Sequence, residues 1–260
     1  METLSIGQYD LVANLMSLTV AAMGAAALFF FMARDQVAPR LRPALIISGI
    51  VVAIAGYHYF RIYGSWTAAY ELAGGSYQPT GKPFNDAYRY ADWTLTVPLL
   101  VIELVAVLAL AKAVARSLTW RLATAALLMI LLGYPGEVSA DPMTRWIWWG
   151  AAMIPWVYIM FILFTQFSRA IERQPVSVRK LVSNARLLIL LTWAFYPIAY
   201  LGPELGLQGP AAETFVQVGY TIADIFAKVG LGIYIYLIAR GKTEAQGFDL
   251  GDEDDVLAAA

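Results

Sequence analysis

The sequence predicts an all-α membrane protein: a bundle of seven transmembrane helices, N-terminus outside, with a short hairpin between the second and third spans. Three observations carry that prediction. Of 260 residues, 60% are hydrophobic and 14% are charged, where a soluble domain carries roughly a quarter charged. The apolar residues fall into seven runs of membrane-spanning length. Basic residues gather on alternate connections between those runs.

The runs cover residues 9–33, 41–69, 86–111, 118–134, 145–167, 178–201 and 212–239. A hydrocarbon core takes roughly 20 apolar residues per helix. Open strands cannot cross it without leaving backbone groups unpaired. The first run follows METLSIGQYD, which has no basic leader, so it reads as a retained span rather than a cleaved signal. Arg34, Arg40 and Arg42 lie between the first and second spans. The second and third are joined by ELAGGSYQPTGKP, whose Gly-Gly and Pro-Thr-Gly turns read as a surface hairpin. Lys112, Arg116 and Arg121 flank the turn into the fourth span. Arg169, Arg173, Arg179, Lys180 and Arg186 surround the link from fifth to sixth, and Arg240 and Lys242 follow the seventh. All four clusters lie on the cytoplasmic side if the N-terminus is outside. The opposite side has few basic groups, Arg61, Lys82 and Arg145, and carries Glu71, Glu137, Asp141, Glu204 and Glu213. Residues 1–242 therefore read as one transmembrane domain. Residues 243–260, ending GFDLGDEDDVLAAA, read as an acidic, disordered cytoplasmic tail. No period relates the two halves, which argues against a repeat-built transporter.

Composition also excludes chemistry. With no cysteine there is no disulfide, thiolate metal site or thiol nucleophile. A single histidine argues against a histidine-based metal centre. A net charge of -1 gives no reason to expect nucleic acid. The partner this composition calls for is membrane lipid; protons and internal water are the partners expected of the internal charged groups taken up next.

The chemistry begins at Lys228, in the middle of the last apolar run. An ammonium at membrane mid-depth is costly and requires a partner, an altered proton affinity or covalent chemistry. Asp224 lies one turn before it, on the same helix face. The third run places Arg89, Asp92, Thr96 and Glu103 broadly on one face. Asp92 to Glu103 spans about 16 Å at 1.5 Å per residue. Asp92 and Asp224 are the natural counter-charges for a cation on Lys228; a plain structural ion pair is the alternative. His58, on the second span, lies at a depth that suits pairing with Asp92 as one coupled unit, or it is a satisfied core histidine. Glu103 sits in LLVIELVAV, where apolar surroundings suit a neutral acid able to donate a proton. Its alternative is a side chain snorkelling to the surface. Trp93, Trp148, Trp149, Trp156, Trp193, Tyr196 and Pro197 are candidates for a cage around an elongated apolar ligand, or they pack against lipid. Pro197 is expected to free a carbonyl and bend the sixth helix.

These residues form a specific combination: GYHYFRI on the second span, RYADW with TVPLL on the third, W-x-x-Y-P on the sixth, and D-x-x-x-K on the seventh. Over essentially all seven spans the chain resembles the microbial, retinal-binding rhodopsins, and within them the bacterial proteorhodopsin and xanthorhodopsin branch. The resemblance implies all-trans-retinal covalently bound to Lys228 as a protonated Schiff base. It makes Asp92 the primary counterion and proton acceptor, Asp224 the second counterion, and Glu103 the cytoplasmic proton donor. His58 would pair with Asp92, Arg89 would complete the outward network, and Thr96 would hydrogen-bond near Asp92. The retinal pocket would include Trp93, Leu100, Met129 and Gly133. From the later spans it would include Trp149, Trp193, Tyr196 and Pro197. Leucine at position 100 resembles the green-absorbing form.

The implied function is a light-driven outward proton pump in the bacterial inner membrane, an ion transporter and not an enzyme. The resemblance also suggests a homo-oligomer, pentamer or trimer. A retinal-based photosensor coupled to a transducer is the alternative, and an acid at Glu103 argues against it. The Asp92–Thr96–Glu103 set differs from that of sodium pumps, and Asp92 differs from chloride pumps. Tyr200 stands where archaeal pumps carry a pocket tryptophan. Some relatives place glycine beside the ring end of retinal, opening a window for an antenna carotenoid. Here Trp149 occupies that position, so an antenna carotenoid is not favoured.

Overall fold

The computed structural model describes residues 1–247. Seven long helices run Ile6–Ala33 (α1), Arg42–Ala69 (α2), Ala87–Leu108 (α3), Lys112–Glu137 (α4), Pro142–Glu172 (α5), Val176–Tyr200 (α6) and Gly209–Ala245 (α7). All seven are long and apolar enough to cross a membrane. Sequence neighbours pack side by side, and α7 returns against α1, which closes the ring. The outward face is apolar: Met32, Phe60, Ile154, Phe161 and Leu191 are all exposed. In water that arrangement would be unstable; in lipid it is the expected surface.

Local chemistry sets the ends. Ser5 caps α1 by accepting from Gln8 N, and Gln8 Oε1 accepts from Ser5 N, a reciprocal capping box. Asp141 caps α5 by accepting from Thr144 N at 2.8 Å, with Pro142 at the first helical position. Strands β1 (Tyr70–Ala73) and β2 (Ser76–Pro79) form an antiparallel hairpin between α2 and α3. Its turn residues, Gly74 and Gly75, both have positive φ, 60° and 82°, which glycine adopts without steric cost. Leu4 bridges to Tyr77, and Tyr9 stacks on the Tyr77 ring at 3.6 Å, so the hairpin lies over the ends of α1 and α2. We call this the hairpin end of the bundle and the opposite end the tail end.

The helices outrun the sequence reading at several ends. Polar first and last turns continue hydrogen bonding beyond the apolar stretch, so α4 begins six residues earlier than expected and α7 continues to Ala245. The α3 helix stops earlier, at Leu108, where Ala109 turns left-handed. Residues 243–245, assigned by sequence to the tail, are therefore helical, and Thr243 is fully buried. Gln246 and Gly247 form a turn after the helix, and the remaining part of the expected tail, 248–260, lies outside the described residues.

Candidate functional site

Residues Ile225–Gly230 form a wide π-type turn within α7, and Lys228 stands on it. Such insertions often mark functional positions. Lys228 is 2% exposed. Its Nζ lies 2.6 Å from Asp224 Oδ1 and 3.0 Å from Asp92 Oδ2, and both acids are 1% exposed. Helical spacing aligns Asp224 with Lys228; packing of α3 against α7 brings Asp92 to them.

The two carboxylates have different surroundings. Asp224 receives hydrogen bonds from Tyr59 Oη at 2.8 Å, Tyr196 Oη at 2.6 Å and Trp93 Nε1 at 3.3 Å. Neither carboxylate oxygen of Asp92 has a well-aligned hydrogen-bond donor. The His58 ring nitrogen Nδ1 is 3.9 Å from Asp92 Oδ1, beyond hydrogen-bond reach, and 3.0 Å from Ile54 O. Thr96 Oγ1 donates to the backbone carbonyl of Asp92 at 2.9 Å, not to its carboxylate.

Toward the hairpin end the site opens into a polar network. Arg89, 1% exposed, donates to Tyr59 Oη at 3.1 Å, to Gln217 Oε1, and to Asp86 Oδ1 at 2.5 Å. Two cavities meet there and share Phe84, Asp86, Glu137 and Tyr220 in their walls. Arg145 spans the mouth, with Nε 3.2 Å from Glu204 Oε1 and Nη2 donating to Tyr200 O at 2.9 Å.

Toward the tail end, among the described residues, Glu103 has no such network around it. Glu103 is fully buried, which excludes the snorkelling alternative. One oxygen, Oε2, meets Ser48 Oγ at 2.7 Å; Oε1 has no partner. Leu104, Val107 and Leu108 close the space between it and the end of α3.

A cavity enclosing about 740 Å³ of atom-free space, part of it open at the mouth, runs from Lys228 between α3, α4, α5 and α6. Trp93, Leu100, Met129 and Gly133 line it, as do Trp149, Trp193, Tyr196, Pro197 and Tyr200. Its only charged wall residues are Lys228 and Asp224. Pro197 cannot donate to the carbonyl four residues back, Trp193 O; Trp156 Nε1 donates there instead, at 3.3 Å. Trp149 Nε1 donates to Pro197 O at 3.1 Å, which fixes its indole across the wall. Sequence reasoning missed Tyr59, Gln217, Ser48 and the wall residues Tyr90, Ala152 and Tyr220. Tyr59 adjoins His58 in GYHYFRI; the others carry no signal that spacing alone could reveal.

Fold and site together define a multi-pass membrane protein of seven spans, built around an internal lysine between two carboxylates. The description of the bacteriorhodopsin-like protein family matches residues 10–241, and the chain belongs to that family. The green-light absorbing proteorhodopsin of Gamma-proteobacterium EBAC31A08 is 33% identical over 223 residues, covering 85% of this chain and 84% of that protein. Among solved structures, xanthorhodopsin, described as a light-driven ion pump with dual chromophore, is 53% identical with a TM-score of 0.92. That match covers 96% of this chain and 100% of the other. Thermophilic rhodopsin is 46% identical, also with a TM-score of 0.92, covering 95% of this chain and 100% of the other. The protein is thus a microbial rhodopsin, similar to xanthorhodopsin and the proteorhodopsins.

Proposed function

We propose that the protein is a light-driven outward proton pump carrying all-trans-retinal covalently on Lys228. The observation that carries this reading is the placement of Lys228 Nζ. It stands at the wall of an apolar cavity, 2.6 and 3.0 Å from two buried carboxylates, with a third buried carboxyl on the tail side. The cavity fits the group: its walls are apolar and aromatic, and its charges are confined to Lys228 and Asp224. When bound there, retinal supplies light absorption and a change of shape that alters the proton affinity of the nitrogen it shares with Lys228.

The chain's own groups then set direction. Three donors hold Asp224 as the fixed counter-charge, because hydrogen bonds to a carboxylate favour its charged form. Asp92, with no aligned donor on its oxygens, takes the proton from Lys228 Nζ. His58 faces Asp92 at 3.9 Å with its Nδ1 turned to Ile54 O, so it pairs with Asp92 only if the ring turns to close that gap. Thr96 fixes the backbone at Asp92. Arg89 leads the charge outward through Asp86 and Gln217. Glu103 returns a proton to Lys228 Nζ from the other side and is reloaded from the cytoplasm.

In this reading the hairpin end faces outward and the tail end the cytoplasm, across a bacterial inner membrane, in accord with the basic clusters. The functional unit is a homo-oligomer, a pentamer or trimer. Supporting it, α1 exposes Asp10, Asn14, Ser17, Ala21 and Gly24 along one face, and α2 exposes Ala53, Tyr57, Arg61 and Gly64. Small and polar residues on lipid-facing helices favour helix association. Head-to-tail contact between these faces gives a ring when the rotation between copies closes. A second, antenna chromophore is not favoured, since Trp149 fills the wall at the position where a window would open.

Illumination of intact cells tests the function. The medium should acidify, and a protonophore should abolish the signal. Alkalinisation, or a response that survives the protonophore, would overturn the reading.

A further inference from the structure

The last turn of α7 carries a buried cation that the pumping scheme does not use. Lys242 is 4% exposed, and its Nζ donates to Val107 O at 3.0 Å and Leu108 O at 2.9 Å. These are the last two carbonyls of α3, which have no partner within their own helix. An ammonium there also meets the negative end of the helix dipole. Gln174 Nε2 approaches the same Leu108 carbonyl at 3.5 Å. The next residue, Thr243, accepts a hydrogen bond from Ala38 N at 2.9 Å. Two consecutive residues therefore tie α7 both to the end of α3 and to the α1–α2 link. Among the described residues Lys242 takes part in no ion pair.

The end of α3 is itself strained. Ala109 adopts φ 49° and ψ 50°, and among the described residues it alone, glycine aside, has positive φ. An L-residue holds that conformation where its surroundings over-determine it. Glu103 lies five residues before Leu108, about 7.5 Å along the axis. Val107, Leu108, Ile238 and Ala239 are all buried between α3 and α7 at this level. These four side chains are apolar, so among the described residues they offer no hydrogen-bonding side chain along this seam between Lys242 and Glu103.

We propose that Lys242 is a positioning residue: a clasp that holds the end of α7 on the end of α3, and whose release opens the water path that reloads Glu103. The proposal rests on Glu103 being the proton donor. Releasing the ammonium frees Val107 O and Leu108 O to bind water on an otherwise apolar seam.

The test uses the full chain with retinal in lipid nanodiscs. Absorbance after a flash reads reprotonation at Lys228, and a pH-sensitive dye reads proton uptake from the medium. Lys242→Met keeps the apolar stem and removes the donors. Uptake should accelerate roughly ten-fold or more, since Lys242→Met removes two hydrogen bonds from a charged donor and even one corresponds to about a ten-fold change in an opening equilibrium. Proton release and the resting absorption band should stay unchanged, and Lys242→Arg should restore the slow uptake. Uptake at the original rate, slower uptake, or an equal change in every phase would overturn the clasp. If Lys242→Met yields no pigment, spin labels at Ala111→Cys and Glu244→Cys decide the question, because the natural chain has no cysteine to compete. Their separation should grow by several ångström under light; a constant separation overturns the proposal. Glu103→Gln provides the separate check on the donor. If that change leaves reprotonation at Lys228 at its original rate, the donor assignment fails and the clasp fails with it. If reprotonation slows while Lys242→Met changes nothing, the clasp alone fails.

Discussion

The two halves of the bundle on either side of Lys228 are built to opposite rules. The hairpin half is polar and connected: Asp224 meets Tyr59, Tyr59 meets Arg89, and Arg89 branches to Gln217 and Asp86, in front of cavities ringed by acids. The tail half is dry: one carboxyl, Glu103, sits with one hydroxyl in an apolar seam closed at its base by Lys242. A connected polar chain passes a proton with little reorganisation, and water can replace any one member. An isolated buried acid can exchange its proton only when the structure opens. In the proposed pump, protons would therefore leave by the half that needs no opening and enter by the half that does. That asymmetry, more than any single residue, would then give the transport its direction.

The most severe way to break the comparison is to remove the groups on which both halves converge. Lys228→Ala should abolish covalent chromophore attachment, read as loss of the visible absorption band. Asp92→Asn should keep the pigment but abolish outward pumping, read as loss of light-driven acidification. On the dry side, Glu103→Gln should slow reprotonation at Lys228 roughly a hundred-fold or more, the usual scale for removing a positioned proton donor. An added weak acid small enough to enter the seam should restore part of the rate. If Glu103→Gln pumps normally, the dry half has another donor and the asymmetry is misread.

How much of this was legible beforehand depends on how far apart the partners lie in the chain. Asp224 and Lys228 are one turn apart, and the cost of charge in lipid marks both, so sequence pattern alone finds them. Asp92 and Glu103 stand out for the same reason. Seven spans and the hairpin follow from hydropathy and turn chemistry. The partners that tune these groups come from other helices. Tyr59 reaches Asp224 across 165 residues, Arg89 reaches Gln217 across 128, and Ser48 reaches Glu103 across 55. Tyrosine, glutamine and serine are cheap enough in a membrane helix that nothing marks them as special until packing is known. Lys242 was hidden for a different reason. A lysine just past an apolar run reads as a basic flank at the water surface, yet α7 continues and buries it.

Ser48 sharpens the comparison on a smaller scale. Its hydroxyl lies 2.7 Å from Glu103 Oε2 and 3.2 Å from Ala44 O. It has one proton and faces two acceptors, so both contacts are satisfied together only when Glu103 carries a proton and donates it to Ser48. Ser48→Ala removes that acceptor. The loss of one hydrogen bond is worth about 1 kcal/mol, so reprotonation at Lys228 should change about five-fold. The carbonyl stretch of the protonated Glu103 should move to higher frequency in infrared difference spectra. An unshifted band would show that the carboxyl is held by something other than Ser48.

The smallest effect belongs to the polar half, and its smallness is the point. Glu204 pairs with Arg145 at 3.2 Å across the cavity mouth, and both side chains retain some exposure, 15% and 12%. Arg145 also donates to Tyr200 O and Glu137 O, so it stays in place without Glu204. Those backbone contacts hold the Arg145 guanidinium, a neutral amide can still accept from it, and water can take any vacated position. Glu204→Gln should therefore leave the rate of proton release within about two-fold of the original. A loss as large as that of Glu103→Gln would mean that one outer carboxyl controls exit. The polar half would then be gated like the dry one, and direction would have to come from timing between two gates instead of from one.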